Sequence, residues 1–331
     1  MTSSVERKPL TVAGAINEAL SDMLREDERV ILLGEDIGQN GGVFRVTEGL
    51  METYGEERVI DTPLSEAGFV GAAIGMAANG LKPVVEIQFL GFIYPAYEQL
   101  MTHAVRLRSR TMGHFSVPIV IRAPYGAGVR APEIHCDSTE SIFTHMPGMK
   151  VVCPSNPYDA KGLMIAAIED PDPVLFLEPM RNYRSISEEV PEGLYTVEIG
   201  KGKRLLEGQD VTIITWGAMT AVSMKAAEAL SKQNISCEVI DLRTLSPIDE
   251  DLIASSVQKT GRTVIVQEAH PQSSVANDVL SIINETSFLY QKAPVAKVSG
   301  FDTPVPYFGY EDFYLPTPER VMQAVMKAVD F

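Results

Sequence analysis

Cysteine and positive charge are both scarce in this 331-residue chain. Its three cysteines, Cys136, Cys153 and Cys237, include no Cys-x-x-Cys pair and no Cys/His cluster. Neither a disulfide framework nor a zinc site is therefore expected, and a reduced, cytoplasmic compartment fits. Lys and Arg number 28 against 44 Asp and Glu, a formal net charge of −16. That excludes nucleic-acid binding, which needs basic side chains to displace the counterions of the phosphate backbone. The acid excess suits a basic protein partner and serves equally well as a solubilising surface. No apolar run approaches the roughly 18 residues of a membrane-spanning helix. The start, MTSSVERKPLTV, lacks the apolar stretch of a secretory signal, so no membrane role is expected. Dinucleotide (Gly-x-Gly-x-x-Gly), P-loop, nucleophile-elbow (Gly-x-Ser-x-Gly) and His-Glu-x-x-His motifs are all missing.

What the chain does contain is alternation. VILLGED (Val30–Asp36), PVVEIQF (Pro83–Phe89), PIVIRAP (Pro118–Pro124), MKVVCPSN and PVLFLEP read as buried strands. Between them lie helical patterns at Thr11–Glu26, Ala67–Gly80, Tyr97–Thr111 and Ala160–Glu169. A polar stretch, Ser185–Gly193, follows. Strands VTIITWG, CEVIDLR, TVIVQEA and VAKVSG then alternate with helices at Met219–Lys232, after Pro247, and near Ser274–Thr286. Continuous apolar strands separated by amphipathic helices indicate parallel sheets covered on both faces. The reading is α/β, with two successive doubly wound domains of residues 1–190 and 191–331. In Ala67–Gly80, Gly68, Gly71 and Gly75 cost helix stability, which suggests that another backbone packs unusually close.

Open α/β sheets bind ligands at the carboxyl ends of their strands. Polar residues there are Glu35 after VILLG, Glu66 at the start of the glycine-rich helix, Gln88 after the strand PVVEI, and His135 in the loop YGAGVRAPEIHCDST. Each also has an ordinary role. Glu66 can complement a helix N-terminus, worth about 0.3–1 kcal/mol. Glu35 and Asp36 can be turn residues, Gln88 a strand-end amide, and His135 a loop histidine. On these residues alone the chain is an α/β enzyme, or a subunit of one, with an unidentified ligand.

The strings GEDIGQNGGVFRVTEGL, DTPLSEAGFVGAAIGMA, EIQFLGFIYPAYEQ and SNPYDAKGLMIAAIEDPDPVLFLEP, with GFDTPVPY and YLPTPERV near the end, make the reading specific. From about Leu10 to Phe331 the chain resembles the β subunit of the thiamine-diphosphate-dependent E1 component of 2-oxo acid dehydrogenase complexes. The resemblance implies a transketolase-like pyrimidine-binding domain followed by a transketolase C-terminal domain. It also implies that Glu66 hydrogen-bonds the aminopyrimidine ring, that Leu64, Gln88 and Phe92 contact the cofactor, and that Glu35 belongs to a proton relay. By the same resemblance His135 assists acyl transfer to the lipoyl group, although His-Cys-Asp here replaces the His-Ser-Gln of many relatives. A structural potassium ion is implied at Ile119, Ala167, Ile168, Asp170 and Asp172; ordinary solvated acids at a helix end account for the same residues. The Gly-Asp-Gly motif by which thiamine enzymes hold the Mg²⁺-diphosphate is absent. An E1 α subunit is therefore implied to supply that half of the site, in an α₂β₂ heterotetramer.

The activity implied is decarboxylation of a 2-oxo acid and transfer of the acyl group to lipoyl-bearing E2. IYPAYEQ and SNPYDAKGLMIAAIE favour branched-chain substrates, whereas GVFRVTEG and the HCDS loop suit pyruvate. Two rivals are a non-catalytic subunit that docks E2 through its subunit-binding domain, and a self-sufficient transketolase-type enzyme. Retention of Glu35, Glu66 and His135 argues against the first; chain length and the missing Gly-Asp-Gly argue against the second. In these complexes the E2 domain that receives the β subunit is often basic, so an acidic patch is expected near the C-terminal domain.

Overall fold

A computed structural model describes residues 7–307 and 309–331. In chain order the elements begin β1 (Arg7–Thr11), α1 (Val12–Glu26), β2 (Val30–Gly34), α2 (Leu50–Tyr54), β3 (Val59–Asp61), α3 (Glu66–Ala78) and β4 (Lys82–Glu86). They continue with α4 (Tyr97–Thr102), α5 (Leu107–Arg110), β5 (Val120–Tyr125), α6 (Glu140–Thr144), β6 (Lys150–Val152), α7 (Pro157–Glu169), β7 (Val174–Pro179) and β8 (Ser187–Pro191). The remainder are β9 (Lys203–Leu206), β10 (Val211–Thr215), α8 (Met219–Ser231), β11 (Cys237–Asp241), β12 (Thr244–Ser246), α9 (Glu250–Thr260), β13 (Thr263–Val266), α10 (Val275–Ser287), β14 (Ala296–Val298), α11 (Glu311–Tyr314) and α12 (Pro318–Val329). The chain forms two compact units. One holds the residues through Tyr125 together with Phe143–Ile199; the other holds Gly126–Ile142 and Gly200–Phe331.

In the first unit β6, β7, β5, β4, β2 and β3 lie side by side in that order, all parallel. Strands β2 and β7 are buried along their whole length, as both-face coverage requires. Helix α1 starts at Thr11, whose hydroxyl accepts the Gly14 N–H. Its residues Ile16, Leu20 and Leu24 share a core with Leu163, Met164 and Ile168 of α7. Lys161 of α7 is fully buried, but its ammonium meets Glu18 at 2.6 Å and Asp22 at 3.1 Å on α1, so no isolated charge is left inside.

In the second unit β14, β13, β10 and β11 are parallel, and β9 closes the β11 edge antiparallel. Val321, Val325 and Ala328 of α12 turn inward, and the first two join the core of β10 and β13.

Two elements depart from the pattern in the sequence. Within the polar stretch Ser185–Gly193, β8 pairs antiparallel with β1, Leu10 opposite Glu188. Most side chains of this ribbon are exposed or half-buried, which is why no apolar run announces it. The single helix expected over Tyr97–Thr111 is broken into α4, a 3₁₀ turn at Ala104–Arg106, and α5. Arg106 and Arg110 would stand as like charges one turn apart in a continuous helix. Instead they donate to the carbonyls of Met101 and Thr102, satisfying acceptors near the break.

Candidate functional site

Three adjacent parallel strands deliver polar residues at their carboxyl ends. Glu35 follows β2 immediately, Gln88 stands two residues beyond β4, and Glu66 opens α3 after β3. All three are half-buried. Partial burial pushes the Glu35 carboxyl up from its ordinary range, and the charges of Asp36 and Glu66 push it further. Leu64, 71 % exposed, precedes Glu66. Phe92 ends a 3₁₀ turn and meets Phe89 edge-on at 5.4 Å; Phe89 in turn meets Phe44 at 5.6 Å.

The supports beneath are charged, and sequence reasoning passed over them. Arg122 of β5 donates to Glu86 of β4 at 2.6 Å and to Glu178 of β7 at 3.0 Å, and Tyr183 donates to Glu178 at 2.6 Å. Burial pushes the Glu86 carboxyl up, Arg122 opposes this, and Glu178 adds to it. The signal was available: each of the runs PVVEIQF, PIVIRAP and PVLFLEP carries one charged residue inside an apolar strand. The loop over this cluster needs glycine. At Gly42 (φ +80°) a Cβ would lie 3.1 Å from a Glu86 carboxylate oxygen. Asp61, at the end of β3, accepts the Gly38 N–H at 2.6 Å and ties down the other side of the loop.

Helix α3 buries Phe69, Val70, Ala73, Ile74 and Ala77 and turns Gly68, Ala72 and Gly75 outward. A Cβ on Gly75 would meet nothing within 4 Å, whereas one on Gly71 would stand 3.3 Å from the Gln99 amide oxygen.

His135 belongs to the second unit. It is half-buried, with Nδ1 2.9 Å from the Glu133 carbonyl oxygen. Its neighbour Cys136 is buried with Ala127, Tyr314 and Leu315. Burial pushes that thiol up to about 12, with Glu311 adding, so the cysteine behaves as a small apolar side chain. In the same unit a cavity of about 380 Å³ is lined by Asp137, Ser138, Thr139, His270, Asp302 and Tyr314, among others.

Residues 8–186 match the transketolase pyrimidine-binding domain and residues 200–321 the transketolase C-terminal domain. The chain is 48 % identical over 318 residues to the pyruvate dehydrogenase E1 component subunit beta of Acholeplasma laidlawii, covering 96 % of this chain and 97 % of that one. It is 49 % identical over 322 residues to the subunit of the same name from Bacillus subtilis, covering 97 % and 99 %. The chain belongs to the E1 β family of 2-oxo acid dehydrogenases. A solved structure titled a split-gene transketolase, inactive beta4 tetramer, superposes with a TM-score of 0.78 over 97 % of this chain and 98 % of that one; at 23 % identity it bears on the fold alone. These E1 β relatives are named for pyruvate, which backs the pyruvate alternative better than the branched-chain preference read from IYPAYEQ and SNPYDAKGLMIAAIE.

The family depends on thiamine diphosphate. At the ends of adjacent strands and in the loops after them, the first unit carries an aromatic, an aliphatic, a carboxylate and an amide side chain, the types that a flat ring with polar nitrogens would need. At the residues implied for potassium, both acids already face side-chain cations. Lys150 already places its ammonium 2.7 and 2.5 Å from the two Asp170 oxygens, and Arg108 meets Asp172 at 2.6 Å. The Ile119 carbonyl accepts the Val174 N–H at 3.0 Å. Ala167 and Ile168 lie in the last turn of α7, whose carbonyl end favours a positive charge, and Lys150 supplies one.

Proposed function

We propose that the chain is the β half of an α₂β₂ pyruvate-decarboxylating E1 that passes the acyl group to lipoyl-bearing E2. The observation that carries this is the convergence of Glu35, Glu66 and Gln88 on adjacent strand ends in a chain nearly half identical to pyruvate dehydrogenase E1 β subunits. Bound there, thiamine diphosphate supplies stabilisation of the carbanion left by decarboxylation. Glu66 would hydrogen-bond the aminopyrimidine ring, Leu64 and Phe92 would pack on it, and Gln88 would orient it. Glu35, its carboxyl already raised, would hold a proton close to Glu66. His135 would assist acyl transfer.

Diphosphate and Mg²⁺ fall to the E1 α subunit, since the Gly-Asp-Gly motif is missing here. The outward small-residue face of α3 would let that subunit approach closely. E2 would dock through its subunit-binding domain on an acidic patch near the C-terminal domain, while most of the net negative charge lies in the rest of the chain. Residues 200–331 hold 12 Lys and Arg against 16 Asp and Glu, a net of −4, while residues 1–199 hold 16 against 28, a net of −12.

The test is kcat/KM of the reconstituted α₂β₂ enzyme on pyruvate and on 3-methyl-2-oxobutanoate, with Glu66→Gln alongside. Pyruvate is expected to lead by at least about tenfold, a margin that small pocket differences can supply. Glu66→Gln is expected to lower turnover about 10²- to 10⁴-fold with the tetramer intact. A lead for the branched substrate would overturn the substrate. Near-normal turnover by the variant would favour the non-catalytic, assembly-only subunit instead.

A further inference from the structure

The loop that carries His135 follows β5 directly in sequence, yet residues Gly126–Ile142 group with the second unit. Two buried carboxylates account for this. Glu268, two residues beyond β13 and 5 % exposed, accepts the Ala127 N–H and, at 3.1 Å, the Ser138 hydroxyl. Glu311, the first residue of α11 and 1 % exposed, accepts the Gly128 N–H at 2.5 Å and the Arg130 N–H at 2.9 Å. Backbone at Gly126 (φ +86°), Gly128 (φ +100°) and Arg130 (φ +57°) is left-handed, a conformation that gathers successive N–H groups into a concave anion receptor. In this protein the receptor is filled by its own two glutamates. A Cβ at Gly126 would stand 2.8 Å from a Glu268 oxygen, so the fit leaves no room for a larger residue.

The rest of the loop is tied less firmly. Asp312 meets the Arg130 guanidinium at 2.9 Å, but both side chains are largely exposed, so the pair adds little. Tyr307 donates to Glu133 at 3.2 Å, also at the surface. Cys136 is pinned by packing against Tyr314 and Leu315. Between these anchors stands His135, held locally by its contact with the Glu133 carbonyl.

We propose that Glu268 and Glu311 are positioning residues for His135: they fix the Gly126–Ser138 loop, so that acyl transfer to the lipoyl group depends on them while decarboxylation does not. This rests on the role proposed above for His135. Charge-assisted hydrogen bonds from backbone amides to buried carboxylates are among the stronger polar contacts available. Removing one leaves loop amides inside the fold without an acceptor, and the loop opens to find water.

The test uses the reconstituted α₂β₂ enzyme with Glu311→Gln, Glu311→Ala and Glu268→Gln, and with His135→Ala as reference. Decarboxylation is followed with an artificial electron acceptor, acyl transfer with a free lipoyl domain, and loop opening by amide hydrogen exchange. Glu311→Gln is expected to speed exchange over residues 127–130 at least tenfold and to slow lipoyl acylation at least tenfold. Decarboxylation is expected to stay within twofold, a split that general destabilisation would not produce. Glu311→Ala is expected to be worse than Glu311→Gln, which keeps one acceptor. Equal losses in both half-reactions, or unchanged exchange at the loop amides, would overturn the proposal. If His135→Ala acylates the lipoyl domain normally, the role of the histidine fails, and the exchange data still decide whether the glutamates hold the loop. If the variants of one glutamate fail to fold, those of the other provide the same readouts.

Discussion

At the scale of single residues, the candidate site contains one carboxyl, Glu35, whose charge the fold would be more stable without. Glu35 is raised by partial burial and by two negative neighbours, so its ionised form is disfavoured in the folded state. A carboxyl raised on folding contributes stability while it stays protonated in the folded state. That contribution is fully present below the ordinary carboxylate range and is lost as pH climbs through the raised value. Glu35→Gln removes the ionisation. The assembled variant is expected to melt above the wild type at pH 7 to 8, and the gap is expected to close as pH falls below the ordinary carboxylate range, where both side chains are neutral. Thermal melting across that range checks it; a gap independent of pH would mean that Glu35 is not strained by charge. The mutation is also expected to slow turnover, a trade of stability for activity common at such sites.

At the scale of elements, the carboxyl end of α7 shows how a tethered charge can stand in for a mobile one. Lys150 lies at the start of β6 and bonds both oxygens of Asp170, the residue that closes α7. Melting of the assembled wild type is accordingly expected to be the same in potassium and in sodium chloride at equal concentration. Lys150→Met leaves Asp170 and the helix end without a cation. It is expected to lower the melting temperature by a few degrees, about 1 kcal/mol at this size, with potassium restoring more of the loss than sodium. A potassium-specific gain in the wild type would contradict this arrangement. The same region shows what a sequence displays and what it hides. Most strands of the two sheets were legible because burial on two faces writes them as apolar runs, and the amphipathic helices were legible by their period. The short strands β3, β9 and β12 carry no such run and were missed. The β1–β8 ribbon was not, because its polar strands are identified only by pairing across 180 residues of chain. Nor was the grouping of the His135 loop with the second unit. It depends on Glu268 and Glu311, which in sequence look like any other acids. Glu86, Arg122 and Glu178 could have been found, since a charge inside an apolar strand must have a buried partner.

At the scale of the whole molecule, the charge balance and the missing phosphate motif point the same way. A chain with a net charge of −16, concentrated in residues 1–199, repels a free diphosphate, and the sequence has no Gly-Asp-Gly to hold the metal that would offset the repulsion. The first-unit surface can offer a pyrimidine ring a carboxylate, an amide and apolar contacts, but such contacts alone hold small ligands weakly, because ordering the ligand takes up much of what they contribute. The isolated chain is therefore expected to show no titratable binding of thiamine diphosphate with Mg²⁺ in the micromolar range and no decarboxylation of pyruvate. Adding the E1 α subunit is expected to bring both up together, saturating at one α per β. Calorimetric titration of the cofactor into each preparation, with turnover measured on the same samples, separates the outcomes. Tight binding and turnover by the chain alone would mean that it holds the diphosphate itself. Binding restored by the α subunit while Glu66→Gln turns over normally would keep the shared site and remove this chain from the chemistry. Restoration of both, with the variant inactive, requires the pyrimidine half of the site to lie where Glu35, Glu66 and Gln88 converge.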